Sequence, residues 1–139
     1  MPQTAKDLMT PDPQCCTADQ TLNHVARMMM ECDCGEIPVV DTQKKLIGVV
    51  TDRDIVCRVV AAGKNPSAVT AQDAMTHPVT SVALESSLDA VLARMEEHQI
   101  RRVPVVDAEG CVCGIISQAD VARKAEEQET GELVRAVSR

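Results

Sequence analysis

The sequence contains no phenylalanine, tyrosine or tryptophan. Proteins that bind single-stranded nucleic acids stack the bases on such rings, and a planar ligand here would have to rest on aliphatic side chains and backbone groups instead. Basic residues are also scarce, because 14 Lys and Arg against 21 Asp and Glu give a net charge of −7. Nucleic-acid binding depends on a basic surface. We therefore expect no nucleic-acid partner.

Long apolar runs and a secretory signal are missing as well. No stretch approaches the roughly 18 apolar residues that span a bilayer, and the opening segment MPQTAKDLMT has neither the apolar run nor the cleavage site of a signal peptide. We expect a cytoplasmic protein without a membrane partner. Its seven cysteines are then expected to be mostly reduced, and to be buried as small core residues.

The sequence repeats itself without a gap. Pro38 and Pro104 lie 66 positions apart, and the same offset relates many other pairs. These pairs include Met9-Thr10 with Met75-Thr76, Leu22 with Leu88, Met29 with Met95, Val39-Val40-Asp41 with Val105-Val106-Asp107, Gly48 with Gly114, and Asp54 with Asp120. The chain therefore contains two copies of one unit.

Each unit has the pattern β-α-β-β-α. A brief extended piece precedes an amphipathic helix with apolar residues at i, i+3, i+4 and i+7, then two β-branched runs form a hairpin, and a second helix follows, from about Asp52 to Ala62 and from about Gln118 to Glu127. One unit is too small for a good core, so we predict an α/β fold in which both units pack about a pseudo-two-fold axis. The predicted boundaries are 8–63 for the first unit, 64–73 for a linker, 74–128 for the second unit and 129–139 for a charged tail.

Two hydroxyl-to-carboxylate pairs have two interpretations. Thr51 precedes Asp54, and Ser117 precedes Asp120, by three residues. This spacing is typical of a capping box, in which both side chains bond to the first turn of a helix. The same groups could bind a nucleotide, because a carboxylate suits a ribose diol and a hydroxyl suits a phosphate.

The repeat, the IPVVD and VPVVD strands, TDRDIV and EEHQIRRVPV together resemble the CBS domain, the cystathionine-β-synthase-type module, as a tandem pair from about Leu8 to Arg123. The resemblance implies a regulatory protein without catalytic residues, which binds an adenine nucleotide, AMP or ATP, between its copies and forms a homodimer. It also implies the ribose and phosphate contacts Thr51, Arg53, Asp54, Ser117 and Asp120, and adenine contacts at Cys16, Ile37, Val39, Val82, Val103 and Val105.

Arg101 and Arg102 distinguish the two copies. Their counterparts are Gly35 and Glu36, and in nucleotide-sensing relatives of this kind basic residues there reach the phosphates. We therefore expect AMP to bind first at the site containing Asp120, although a side chain of one copy could cross to the other site. The alternative is that the arginines form weak surface ion pairs with Glu96 or Glu97.

Two other functions remain open. The protein could be a structural or interaction dimer that binds no ligand, acting on an unknown partner. It could also be a thiol or metal sensor, although Cys-x-Cys spacing is narrower than zinc sites normally use. The consecutive Met28, Met29 and Met30 cannot all face one core, and we expect their helix to contribute to the dimer interface.

Overall fold

The computed structural model describes residues 3–124. Its helices are α1 (Ala5–Leu8), α2 (Leu22–Cys32), α3 (Asp52–Ile55), α4 (Ala71–Ala74) and α5 (Leu88–His98), followed by α6 at 118–124. Its strands are β1 (Thr10–Pro11), β2 (Glu36–Val40), β3 (Leu46–Thr51), β4 (Val82–Ala83), β5 (Arg102–Val106) and β6 (Val112–Ser117). The predicted α/β fold with two repeated units is confirmed.

The strands form two sheets around matching hairpins. The antiparallel pair β2–β3 makes the sheet of the first copy. The antiparallel pair β5–β6 is the centre of a four-stranded sheet in the order β1-β6-β5-β4, with β4 parallel to β5. In the first copy the extended piece before the helix is reduced to one parallel bridge between Cys16 and Val39.

The amphipathic helices begin and end as their sequences require. Thr21 and Ser87 are the N-caps of α2 and α5, and their side chains accept hydrogen bonds from the backbone N–H groups of His24 and Ala90. Each helix ends at a residue in the left-handed conformation. The buried residues are Leu22, Val25 and Met28 on α2 and Val91 and Met95 on α5, whereas Leu92, which the pattern also assigned to the apolar face, is 40% exposed.

The segment before each copy packs on the other copy. β1 pairs with β6, where Thr10 is opposite Ile115, and Thr76 forms the corresponding bridge to Val49 in the first copy. Helix α1 lies in the core of the second copy, and α4 lies in the core of the first. The two copies therefore exchange their leading segments.

Hydrogen bonds across the boundary repeat reciprocally, as a pseudo-two-fold axis requires. The Leu46 N–H donates to the Gly110 carbonyl at 3.1 Å, and the Val112 N–H donates to the Lys44 carbonyl at 3.3 Å. These two bonds exchange under the 66-residue offset of the repeat. They join the tips of the two hairpins.

In each exchanged segment, a methionine side chain packs directly against a glycine of the other copy. A Cβ at Gly114 would collide with the Met9 side chain and would lie 2.8 Å from the Thr10 carbonyl oxygen. A Cβ at Gly48 would collide with the Met75 side chain, and its three nearest atoms all belong to that side chain. The repeated Gly and Met-Thr motifs thus allow the close approach of the segments to β3 and β6.

The second helix of the first copy is not a uniform α-helix. Helix α3 continues as a π-helical segment from Val56 to Val60, so the helical run ends two residues before the predicted Ala62. The predicted end of α6 at Glu127 and the predicted tail at 129–139 lie outside the described residues. The unit boundaries remain a prediction, and α4 falls partly within the predicted linker at 64–73.

None of the helices within residues 3–124 has the length and apolar character to span a membrane.

Candidate functional site

A cavity of about 600 Å³ lies between the first and second copies. The first copy contributes the end of β3 and the start of α3, and the second contributes the segments that lead into β4 and β5. Its lining residues are Glu36, Val49, Thr51, Asp52, Arg53, Asp54, Thr76, Pro78, Val79, Thr80, Gln99, Ile100, Arg101 and Arg102. The predicted site residues Thr51, Arg53, Asp54, Arg101 and Arg102 are therefore brought together.

Thr51 and Asp54 form the predicted capping box at the start of α3. The Thr51 N–H donates to Oδ2 of Asp54 at 2.9 Å, and the Asp54 N–H donates to Oγ1 of Thr51 at 3.0 Å. The Thr76 hydroxyl of the exchanged segment also donates to the Asp54 carboxylate, at 3.1 and 3.2 Å. Asp54 is 8% exposed, so both copies fix the orientation of this carboxylate.

Arg102 crosses from the second copy to the first. Its Nη1 donates to the Gly35 carbonyl at 3.4 Å and lies 3.7 Å from Oδ1 of Asp52. A Cβ at position 35 would lie 2.5 Å from its Nη2 atom, so a larger residue there would displace the guanidinium. The ion pair of Arg102 is thus with Asp52, whereas the sequence alternative had suggested Glu96 or Glu97.

The arginines lie in one cavity lining with Asp54, which corresponds to the crossing between copies that the sequence left open. The order in which a nucleotide fills the two sites stays a prediction. Arg101 and Arg102 line the cavity that contains Asp54, and the Arg102 side chain reaches Gly35 and Asp52 of the first copy. Asp120 lies outside this lining. It forms a capping box with Ser117, whose N–H donates to Oδ2 at 3.1 Å, and it pairs with Arg123 at 2.6 Å.

The predicted apolar contacts lie in the cores. Their side chains are buried, with those of the first copy in one cluster and those of the second copy in the other, and none of them lines the cavity. These residues are Cys16, Ile37 and Val39 in the first cluster and Val82, Val103 and Val105 in the second. Their role toward a ligand remains a prediction.

Glu36 is a buried acid in the wall of the cavity. It is 5% exposed, and its neighbours include Arg102, Asp54 and Asp52. Burial raises the pKa of Glu36 from 4.5 to about 7, the Arg102 guanidinium opposes this rise, and the carboxylates of Asp54 and Asp52 add to it. Glu36 therefore changes its charge near neutral pH.

The sequence prediction missed several lining residues. Thr76 was visible as part of the repeated Met-Thr pair, but its bond to Asp54 depends on the exchange of segments. Glu36 was visible only as the acidic counterpart of Arg102. No sequence pattern indicated that residues 78–80 or Gln99 line the cavity, which they reach through the packing of the second copy.

The cysteines differ from the expectation of buried thiols. Cys32 and Cys34 form a disulfide. Of the five free thiols only Cys16 is fully buried, and Cys57 is exposed. Burial raises the pKa of Cys16 to about 12, so this thiol is an inert core group. Within the described part of the chain, no three His, Cys, Asp or Glu side chains are grouped so as to hold a metal ion.

Comparison with protein families identifies the repeated unit. The CBS domain family matches the chain twice, at residues 5–61 and 71–127. Each match begins at the exchanged segment and ends after the second helix begins. The two matches together cover most of the chain.

Three similar proteins agree with this result. Hypoxic response protein 1 of Mycobacterium tuberculosis is 37% identical over 134 residues, which cover 96% of this chain and 93% of the relative. A crystal structure of hypoxic response protein I with two coordinated zinc ions has a TM-score of 0.80 at 38% identity, covering 87% of this chain and 98% of that one.

The other two were solved with nucleoside ligands. The CBS domain pair of protein MJ0100, in complex with 5′-methylthioadenosine and S-adenosyl-L-methionine, has a TM-score of 0.83 at 26% identity and covers 92% of this chain and 99% of that one. CBSX2 in complex with AMP has a TM-score of 0.79 at 25% identity and covers 91% of this chain and 98% of that one.

Proposed function

This chain belongs to the CBS-domain family, and on that basis we propose that it is a non-catalytic regulatory module that binds an adenine nucleotide of the AMP or ATP class. One observation supports this most strongly. A single cavity combines the hydroxyl and carboxylate of Thr51 and Asp54 with the guanidinium groups of Arg53, Arg101 and Arg102. Similar CBS pairs were solved with AMP and with adenosyl ligands.

The chemistry of the cavity matches the parts of such a ligand. The Asp54 carboxylate is held in place and can accept hydrogen bonds from a ribose diol. The arginines can donate charge-assisted bonds to phosphate oxygens, which are about twice as strong as neutral ones. The ligand as a whole would thus touch both copies of the repeat.

This arrangement suggests how occupancy becomes a signal. A ligand that contacts Asp54 in the first copy and Arg101 in the second would fix the two copies relative to each other. A partner protein or a second copy of the chain that prefers this fixed state would then bind more tightly, because a ligand shifts an equilibrium by its differential affinity. We expect the regulated partner to be a protein.

The cavity containing Asp54 should fill first. Asp54→Asn and Arg102→Gln should each weaken AMP binding about ten- to a hundredfold, because a hydrogen bond to a charged group contributes about 1.5–3 kcal/mol. Asp120→Asn is the matched control, since it changes the equivalent carboxylate of the other copy. It should leave the affinity of the tighter site for AMP unchanged. Isothermal titration calorimetry measures all three, with thermal melts to verify folding.

Two results would contradict this assignment. If Asp120→Asn weakens tight binding and Asp54→Asn does not, the order of the sites is reversed. If wild-type protein binds neither AMP nor ATP at millimolar concentration, the nucleotide function is wrong. The interaction dimer without a ligand then becomes the better interpretation.

We also propose a homodimer formed through α2 and the helical segment that follows α3. Met28 is buried in the first core, whereas Met30 is 81% exposed, and Val56 and Val60 on the segment after α3 are 58% and 63% exposed. Large apolar side chains left in water favour a contact surface. Met30→Glu should therefore convert the dimer to a monomer in light scattering at tens of micromolar, whereas Glu31→Gln on the same helix should not. A wild-type monomer under these conditions would contradict the proposal.

A further inference from the structure

Glu36 places a buried carboxyl group in the wall of the cavity that also contains three arginines. It belongs to β2, opposite Thr51 of β3, and it is the repeat counterpart of Arg102. Its side chain lines the same cavity as the three arginines while remaining almost fully buried. A phosphate attracted by Arg102 would therefore meet a carboxyl group next to it.

The charges around Glu36 are of both signs. They are Arg101 just before β5, Arg102 on β5, and Asp52, Arg53 and Asp54 on α3, with Arg58 lying 3.7 Å from Asp54. Arg102 forms its ion pair with Asp52, and its positive charge also acts on Glu36. When Glu36 is ionised, its negative charge in the cavity wall repels an incoming phosphate and offsets part of the positive charge of Arg102. When Glu36 is protonated, this repulsion is absent and the carboxyl group can itself donate a hydrogen bond to a phosphate oxygen.

We propose that Glu36 couples the binding of a phosphorylated nucleoside in this cavity to the uptake of a proton from solvent. This inference rests on the proposed nucleotide function and specifies how the site is regulated. The phosphate, entering beside Glu36, favours the neutral acid, and the neutral acid favours the phosphate. An uncharged nucleoside such as adenosine has no such effect, so Glu36 also discriminates between ligands by charge.

The pKa of Glu36 supports this geometry, because a value of about 7 leaves the acid poised to gain a proton at neutral pH. Ligand phosphate has its own second pKa near 6, so it is already a dianion above pH 7. Between pH 7 and 8.5 the two titrations are therefore separated. Replacing Glu36 then shows whether the proton taken up in this pH range binds to Glu36.

Calorimetry of AMP binding at pH 7.0, 7.5 and 8.5, in two buffers of different ionisation enthalpy, tests the proposal. Wild-type protein should take up about half a proton or more per AMP at pH 7.5, and its affinity should fall roughly five- to fifteenfold between pH 7.0 and 8.5, if the phosphate raises the pKa of Glu36 by one unit or more. Glu36→Gln should bind AMP with no proton uptake and with an affinity that stays constant within about twofold. Adenosine binding should be independent of pH in both proteins.

Glu97→Gln is the matched control, because the same change at an exposed position of α5 should preserve the pH dependence of the wild type. If AMP binds to wild-type protein without proton uptake, or if Glu36→Gln keeps the same pH dependence, the coupling is wrong and the nucleotide function stands. If AMP does not bind at any pH, both are wrong.

Discussion

Replacing Leu8 by alanine should destabilise the protein by about 2–5 kcal/mol, although Leu8 precedes the predicted hairpins of both copies. Leu8 is 2% exposed and belongs to the core of the second copy, with Val91, Val103 and Ile116. Truncating a buried leucine removes transfer energy and leaves a cavity. A loss of this size is a large part of the 5–15 kcal/mol that stabilises a typical domain.

Urea denaturation measures this loss directly. Lys6→Ala is the matched control, because Lys6 lies on the same short helix with its side chain exposed, and it should change the free energy of unfolding by less than about 0.5 kcal/mol. A loss below about 1 kcal/mol for Leu8→Ala would mean that α1 is not an integral part of the second core.

Glu36→Gln should stabilise the ligand-free protein at pH 8 by about 3 kcal/mol and should have little effect near pH 4.5. The folded-state pKa of about 7 lies above the ordinary value of 4.5, so the folded protein binds more protons than the unfolded chain between these two pH values. Stability is therefore lost as pH rises through that window, and the loss is complete above it. Each pKa unit corresponds to about 1.4 kcal/mol, and glutamine removes the ionisation.

Urea unfolding at pH 5 and pH 8 provides the measurement, with Glu97→Gln as the exposed control. An equal effect of Glu36→Gln at both pH values would show that its ionisation does not affect folding. A destabilising effect at pH 8 would show that the charged form is stabilised by Arg102 more than it is penalised by burial.

The local elements could be predicted from the sequence, because each one rests on contacts between residues close in the chain. The i, i+3, i+4 pattern predicted α2 and α5, and the β-branched runs predicted both hairpins. In the connection of the second hairpin Gly110 has a positive φ of 85°, which glycine adopts readily in tight turns. The Thr51–Asp54 capping box also followed from a spacing of three residues.

The relation between the copies could not be predicted in the same way. Arg102 lies in the cavity with Asp54 because its side chain crosses to Gly35 and Asp52 of the first copy, and no periodicity within one copy carries that information. The Cys32–Cys34 disulfide was missed for another reason, since the expected compartment argued for reduced thiols. The buried environment of Glu36 depends on both copies, so its charge alone suggested only that the first copy lacked a phosphate contact.

The exchange of leading segments also constrains the order in which the two copies can fold during synthesis. Synthesis runs from the N-terminus, and the first core is completed only by Ala71 and Ala74. The first copy therefore cannot complete its core until the beginning of the second copy has been synthesised. Helix α1 is made first, yet its partners Val103 and Ile116 emerge roughly a hundred residues later. Contacts so distant in sequence slow folding. The nascent first copy therefore exposes apolar surface until the second arrives, and neither copy can be completed as a separate domain during translation.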